Sequence, residues 1–232
     1  ANHHGLFRVV GTNLSHWTTQ QGLPTMILDS PRVAPDGAVW FQAWEHGIGR
    51  FDGTNFSFVS TRDGLPSDRV YGSQVDKDGV RWFGTDEGLA RYDGGSMVVL
   101  RREDGLLNNI VHDVRQTADG AMWLATESGI QRLELDGPTI WSLGDGLKSA
   151  EVATVLATRD GSIWAGTQGG GATRLRGNSV ETLTTAEGLG GDYVFSLWED
   201  RDGTVWLGGG TNELDLRVES NSRGFLATHD GD

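Results

Sequence analysis

Short runs of alternating apolar and polar residues recur along the whole chain, and glycine-containing turns separate them. In the second copy of this pattern, four runs are candidate strands: Val70–Val75, Val80–Thr85, Leu89–Tyr92 and Met97–Leu100. Alternation of this kind is typical of half-buried β-strands, and helical periodicity is not sustained anywhere in the chain. The pattern therefore predicts an all-β protein made of short strands joined by turns.

Two short motifs repeat with the same period of 41 or 42 residues. The first is Gly-Leu, which begins at Gly22, Gly64, Gly105, Gly146 and Gly188. The second is Asp-Gly-x-x-Trp, which ends at Trp40, Trp82, Trp123, Trp164 and Trp206. Asp-Gly favours tight hairpin turns because glycine adopts a positive φ easily. Four strands per repeat, here named a to d, with glycine and aromatic signatures, indicate the blade of a β-propeller.

We therefore predict one β-propeller domain over residues 1–232, with five blades of four antiparallel strands. The repeats run over approximately 14–55, 56–96, 97–137, 138–179 and 180–211. Gly5-Leu6-Phe7-Arg8 matches strand c of the second repeat, whereas the fifth repeat has a degenerate strand c at 212–216. We expect the N-terminal strands, beginning with a closing strand in residues 1–13, to pair with the last blade and remove its exposed edge. Residues 212–232 are then a surplus tail.

The tryptophan column of strand b is expected to form the core between neighbouring blades, because a large ring fills the wedge between twisted sheets. The column Leu28, Val70, Val111, Val152 and Val194 is expected to be core as well. Asp76-Lys77-Asp78-Gly79 resembles the start of a calcium loop but lacks the distal glutamate of that motif, so we interpret it as a turn.

Composition removes several classes of function. The net charge of −13 disfavours binding to nucleic acid. Cysteine is absent, which excludes disulfides and thiol chemistry, and no apolar run is long enough for a membrane span. The six histidines lack metal-ligand spacing, and no nucleophile elbow or phosphate-binding loop occurs. We therefore predict neither a metal site nor a cofactor.

The repeat resembles the two-component regulator propeller family over about residues 5–208. The residues that carry the resemblance in the second repeat are Gly64-Leu65-Pro66, Val70, Asp76, Gly79, Trp82, Gly84-Thr85 and Gly88-Leu89-Ala90-Arg91. In that family such blades form periplasmic sensor regions of membrane histidine kinases, which bind ligands, often thought to be glycans, and are not catalytic themselves. The resemblance thus implies a periplasmic or extracellular recognition module.

A site is expected where the d–a and b–c connections share one face, because the strands themselves are committed to packing. Core columns repeat from blade to blade, whereas the columns on this face diverge. Trp44 is the one tryptophan in such a loop, where its ring beside carboxylates would suit a sugar. The predicted ligand-binding residues are Trp44, Glu45, His46, Asp68, Arg69, Asp86, Glu87, Asn109, Glu127, Gln168, Asp192 and Tyr193.

Three hypotheses follow. The first is a non-catalytic recognition module that binds a glycan or another small polar ligand on this face. The second is a carbohydrate-active hydrolase or lyase that uses rim carboxylates such as Glu45, Asp86 and Glu127. The third is an assembly scaffold, natural or engineered, that self-associates through its C-terminal tail.

Overall fold

The computed structural model describes residues 4–34, 36–133 and 138–211, together with the backbone of the strand 225–229. The strands are β1 Leu6–Val10, β2 Asn13–Trp17, β3 Leu28–Val33, β4 Val39–Ala43, β5 Ile48–Phe51, β6 Phe56–Val59, β7 Val70–Val75, β8 Arg81–Thr85, β9 Leu89–Tyr92, β10 Met97–Leu100, β11 Val111–Gln116, β12 Met122–Thr126, β13 Gly129–Leu133, β14 Thr139–Trp141, β15 Val152–Ala157, β16 Ile163–Thr167, β17 Ala172–Arg176, β18 Ser179–Leu183, β19 Tyr193–Glu199, β20 Val205–Gly210 and β21 Phe225–His229.

Antiparallel sheets in a propeller-like arrangement make up the fold. Strands β3–β6, β7–β10, β11–β14 and β15–β18 form four-stranded meanders, which we call blades 1 to 4. Strands β19, β20 and β21 form a three-stranded C-terminal sheet, and β1 and β2 form an N-terminal hairpin. Within each blade the order is a-b-c-d, as the turn motifs predict, and the a strands β7, β11, β15 and β19 lie side by side.

Each hydrophobic cluster lies between consecutive sheets. Trp123 of blade 3 packs with Val152, Ile163 and Leu175 of blade 4. Trp164 of blade 4 in turn packs with Val194 of the C-terminal sheet. The column from Leu28 to Val194 is buried throughout, so that prediction is confirmed. The tryptophan prediction is confirmed for Trp123 and Trp164, which are buried, while Trp40 and Trp82 are half-buried against the clusters of the next blade, and Trp206 is half-buried outside the clusters of the described residues. The tryptophan column therefore joins the sheets, and the remaining strand positions are free to form loops at the two faces.

The Asp-x-Asp-Gly turn of blade 2 supports this tryptophan column. The carboxylate of Asp76 accepts hydrogen bonds from the amides of Asp78 and Val80, each at 2.9 Å. Its other oxygen accepts from the indole Nε1 of Trp82 at 2.9 Å. Asp200 accepts from Trp206 in the same way, so these aspartates hold the turn and the ring together.

The Gly-Leu motif ends a short 3-10 turn that precedes strand a, and the sequence pattern had not indicated this turn. The five turns are Thr19–Gln21, Thr61–Asp63, Arg102–Asp104, Leu143–Asp145 and Thr185–Glu187. Gly64 follows the second turn with φ 102°, in the left-handed region that favours glycine. Leu65 is buried, so the motif turns the chain and anchors it in the core. No helix among the described residues is long and apolar enough to cross a membrane.

The predicted ring closure is wrong. Within the described ranges, the N-terminal segment pairs with itself, Leu6 opposite Trp17, and not with the last sheet. The third strand of that sheet is β21, whose Leu226 lies opposite Gly208 and Ala227 opposite Leu207. In blade 2, Leu89 lies opposite Gly84 and Ala90 opposite Phe83, which are the equivalent positions. Strand c of the fifth repeat is therefore Phe225–His229, and the degenerate segment at 212–216 lies outside the described residues.

Five complete blades are not confirmed, because the described residues form four four-stranded sheets, one three-stranded sheet and the hairpin. The hairpin packs against blade 1, with Leu6 and Trp17 in the same cluster as Leu28 and Phe51. It thus occupies the place of strands c and d of a neighbouring blade. Residues 225–229 do not belong to a surplus tail, since they complete the pairing of β20.

Candidate functional site

The b–c and d–a connections of neighbouring sheets are joined by backbone hydrogen bonds. The amide of Trp44 donates to the carbonyl of Ile27 at 3.0 Å, within blade 1. The amide of Gly47 donates to Asp68 of the next blade, also at 3.0 Å. Gln168 and Gly169 make the corresponding bonds in blade 4, to Glu151 and Asp192. The prediction that these loops share one face is therefore confirmed.

Four predicted residues from blades 1 and 2 come together on this face, and we call Trp44, Glu45, Arg69 and Asp86 the rim cluster. The Nη2 of Arg69 donates to Oε1 of Glu45 at 3.0 Å, and its Nη1 lies 4.0 Å from Oδ2 of Asp86. The guanidinium carbon lies 6.0 Å from the centre of the Trp44 ring. A cation is thus held beside an indole by one carboxylate from each of two blades.

The extra residue in the b–c loop of blade 1 explains how Trp44 reaches the rim. Glu45 has φ 58°, one of two non-glycine residues with positive φ among the described residues. Gly47, at φ 76°, allows the loop to press against the next strand, because a Cβ there would lie 2.2 Å from the carbonyl oxygen of Val59. The loop therefore projects outward, and Trp44 keeps 44% of its surface exposed. A positive φ at a non-glycine residue is a feature that clusters at binding sites.

Asp86 carries an unused hydrogen-bonding group. Its Oδ1 is buried and has no hydrogen-bond partner among the described residues, whereas its Oδ2 faces Arg69. Buried polar atoms nearly always have a partner, so an orphan atom on a loop face marks a place where water or a ligand donates. The hydrogen bond from Arg69 to Glu45 raises the pKa of that guanidinium, which stays charged.

A cavity of about 160 Å³ lies where the a strands meet. Strand a of every blade and β19 contribute to its lining, which includes Ser30, Arg32, Gln42, Tyr71, His112, Asp113, Arg115, Thr154 and Phe195. We call it the axial cavity. Burial raises the pKa of the Tyr71 hydroxyl, and the charge of Asp86 raises it further.

Strand a is irregular at this level in every sheet. The ladder between strands a and b shifts register between Val70 and Gly72, between Val111 and Asp113, and at the same place in blade 4 and the C-terminal sheet. In blade 1 the shift comes one residue later, between Asp29 and Arg32. A bulge turns the extra residue out of the ladder. The extra residues of blades 2 and 3 are Tyr71 and His112, whose rings lie 5.3 Å apart. The bulges therefore aim these side chains at the axis.

His112 and Asp113 differ in how far their buried polar atoms are satisfied by hydrogen bonds. The Nε2 of His112 is buried without a partner among the described residues, and burial lowers the pKa of its imidazole. Asp113 is buried, and burial raises the pKa of its carboxyl while Arg115, at 2.9 Å, opposes that shift. Asp113 also accepts hydrogen bonds from the hydroxyl of Thr154 at 2.9 Å and the amide of Val155 at 3.2 Å. Asp113 therefore joins blade 3 to blade 4 through hydrogen bonds.

Three predicted residues on this face hold turns. Asp68 accepts from the amide of Thr61 at 2.7 Å, and Asp192 accepts from Thr185 at the same distance. Asn109 accepts from the amide of Arg102 at 2.9 Å. These side chains fix the 3-10 turns before strand a, so the structure does not bring them into the rim cluster.

The remaining predicted residues are spread around the face. The Nδ1 of His46 lies 2.8 Å from the carbonyl oxygen of Trp44, within its own loop. Glu87 and Glu127 are exposed in the b–c loops of blades 2 and 3. Gln168 forms an isolated β-bridge with Tyr193. No group of three or more His, Asp or Glu able to hold a metal ion occurs in the described part of the chain.

The predicted ligand-binding residues do not include Tyr71 or His112. Both belong to a column that also contains Asp29, Ala153 and Phe195. This column diverges between repeats beside the constant core column, which is the same signal that marked the rim loops. It was overlooked because it falls within a predicted strand.

The fold and the loop face define an all-β repeat protein of the propeller class. No protein-family model matches the chain, and no curated protein matches its sequence. Similarity to solved structures, in contrast, is extensive.

The chain is similar to the extracellular domain of the putative hybrid two-component system BT3049 from B. thetaiotaomicron, with TM-score 0.72 and 18% identity, covering 86% of this chain and 30% of that one. It is similar to PorZ, a surface component of the type-IX secretion system of Porphyromonas gingivalis, with TM-score 0.69 and 13% identity, covering 88% and 34%. Virginiamycin B lyase from Staphylococcus aureus gives TM-score 0.65 and 16% identity, covering 94% and 73%. The chain spans about a third of the length of the first two, and these likenesses concern the fold.

Proposed function

We propose that this chain is a non-catalytic recognition module of the sensor type, and that it binds a small polar ligand, with a glycan as the leading class, on the d–a/b–c face. The observation that carries the proposal is the rim cluster. An exposed indole, a fixed guanidinium and a carboxylate with an unpartnered oxygen meet there from two blades. Polar groups that converge beside an exposed aromatic ring are typical of a ligand site.

The chemistry of the cluster favours a polyol. The open surface of Trp44 offers an apolar platform for the CH groups of a sugar ring, while Asp86 and Glu45 accept hydroxyl protons. The overall charge of −13 disfavours anions, with Arg69 as the local exception. The extracellular two-component domains among the fold neighbours support a periplasmic or extracellular sensor role, as does the resemblance to the two-component regulator propeller repeat.

Calorimetric titration of a panel of neutral, amino and uronic oligosaccharides tests the proposal. The Trp44→Ala variant is expected to weaken binding by about 1–3 kcal/mol, the range for ring stacking on an aromatic side chain. Trp198→Ala is the matched control, because Trp198 is 61% exposed but lies in β19 rather than in a loop of this face. Equal losses in the two variants, or no binding by any member of the panel, contradict the proposal. Turnover of any oligosaccharide would favour the carbohydrate-active enzyme instead.

A further inference from the structure

The contact between the N-terminal hairpin and blade 1 lacks the strand-b tryptophan that is present at the contacts between the other consecutive sheets. Between blades 3 and 4, a cleft is lined by Arg132, Trp141, Ala157, Ile163 and Leu175, and Trp123 of strand b closes it. The hairpin and blade 1 form a cleft of about 520 Å³ at the corresponding place. Its lining residues match position by position: Arg8, Trp17, Val33, Val39 and Phe51. We call this the hairpin cleft, and no tryptophan of a b strand lies in it.

The hairpin also has an open backbone edge. In complete blades strand c lies between strands b and d, but β1 pairs only with β2 among the described residues. The two-residue turn at Gly11 and Thr12 closes the ladder, so alternation directs the amides of Phe7 and Val9 away from β2. Phe7 is 42% exposed, whereas its counterparts Ala90 and Gln131 are fully buried. An uncovered edge with unpaired amides is a template for an added strand.

Arg8 shows which strand would fit. In blades 3 and 4 the corresponding arginine stands opposite the tryptophan of strand b, as Arg174 does for Trp164. The guanidinium carbon of Arg174 lies 5.8 Å from the ring centre of Trp164. Its Nη2 lies 2.9 Å from the carboxylate of Asp160, which is four residues before Trp164. Arg8 has no ion-pair partner within the described ranges. The cleft thus offers a cation, Arg8, for a carboxylate and a space that would accept a tryptophan ring.

We propose that β1 is an acceptor edge for an extended polypeptide strand of a partner, which adds antiparallel to β1, places a tryptophan in the hairpin cleft and pairs an aspartate four residues earlier with Arg8. Main-chain hydrogen bonds supply affinity in such strand addition, and the side-chain pocket supplies selectivity. We model the partner strand on the b strands of this chain, because the tryptophan of a b strand fills the equivalent position at four other contacts between sheets. The proposal is independent of the rim cluster, which lies in loops of blades 1 and 2.

A synthetic peptide with the sequence of residues 158–167, capped at both ends and fluorescently labelled, tests the proposal by anisotropy against the full chain. It contains Asp160 and Trp164 at the required spacing. Alanine in place of Trp164 is expected to weaken binding about a hundredfold, as for loss of a buried ring. Asparagine in place of Asp160 is expected to weaken it about threefold, as for a partly exposed ion pair.

Two protein variants identify the edge. Val9→Pro removes an outward-facing amide without breaking the pairing of β1 with β2, so binding should be lost. Val9→Thr keeps the amide and should bind like the unaltered chain, and circular dichroism checks that both variants are folded. Absence of binding by the unmodified peptide overturns the proposal, as do equal affinities for the peptide with and without tryptophan. Full binding by Val9→Pro overturns it too.

Discussion

Replacement of Trp123 by alanine is the sharpest test of how the sheets are joined. Trp123 is 8% exposed, stacks on Trp141 with ring centres 5.0 Å apart, and contacts the apolar side chains of blade 4. Loss of about 150–200 Å² of buried ring at about 25 cal/mol per Å² corresponds to about 4–5 kcal/mol. Measured substitutions of buried aromatic residues give about 3–5 kcal/mol. We expect the free energy of unfolding to fall by that amount.

The assay is urea or thermal unfolding followed by tryptophan fluorescence and circular dichroism. For a chain of this size, each kcal/mol lowers the melting temperature by roughly 2–4 °C, so Trp123→Ala should lower it by roughly 10 °C. Trp198→Ala is the matched control, because that ring is 61% exposed and should change stability by less than about 1 kcal/mol. Similar shifts for the two variants would refute the assignment of the strand-b tryptophans to the core between sheets.

Three further predictions concern stability. Asp113→Ala leaves Arg115 and the buried donors of blade 4 without their acceptor, so the free energy of unfolding should fall by about 3 kcal/mol in chemical denaturation. Thr154→Val removes one hydrogen bond and should lower it by about 1 kcal/mol. Equal effects would contradict the role of Asp113 in joining blades 3 and 4. Backbone and side-chain hydrogen bonds from Ser96 and Gly95 lower the pKa of Asp93 to about 2, so its contribution to stability is present above the ordinary carboxyl pKa and is lost as pH falls through about 2. Carboxyl NMR titration should show that low value, and a pKa near 4 would show that the turn bonds are absent. Truncation after Thr211 removes β21 and exposes the edge of β20, so amide exchange in β20 should accelerate; unchanged exchange would contradict the pairing of β21.

Most of the fold could be predicted because its turns have a chemical signature. Asp-Gly pairs fix the hairpins, and the strand bounds of blade 2 follow within one residue, for example Arg81–Thr85 against a predicted Val80–Thr85. The core columns were predictable for the same reason, since Leu28 and Val70 recur at a constant distance from the turns. The 3-10 turns had a signal that was not used, a Ser or Thr followed three residues later by Gln, Asp or Glu and then glycine.

The closure was mispredicted because strand c was assigned by distance along the chain. In the first four repeats the b–c connection is short, whereas β21 begins fifteen residues after β20 ends at Gly210. Leu226-Ala227 repeats Leu89-Ala90, so the pattern itself contained the correct strand. Loop length varies at little thermodynamic cost, which is why spacing is a weaker guide than the residues of the strand.

The residues of the rim cluster could be predicted from the sequence, and their role in binding stays a proposal. Divergence between equivalent loop columns indicated Trp44, Glu45, Arg69 and Asp86, and the structure brings these four together. The sequence pattern could not show that Asp68 and Asp192 hold the 3-10 turns, because that role depends on hydrogen bonds from residues seven positions earlier. The axial column was hidden by the bulge, which interrupts the simple alternation expected of a strand.

Chemical-shift mapping of the ¹⁵N-labelled chain with a bound oligosaccharide from the panel tests the central claim most directly. The account predicts that perturbed amides cluster at residues 44–47, 69–71 and 86–88, on the face that carries the rim cluster. Perturbations confined to the a–b turns at 76–79, 117–120 and 158–161, or no saturable perturbation with any member of the panel, would contradict it.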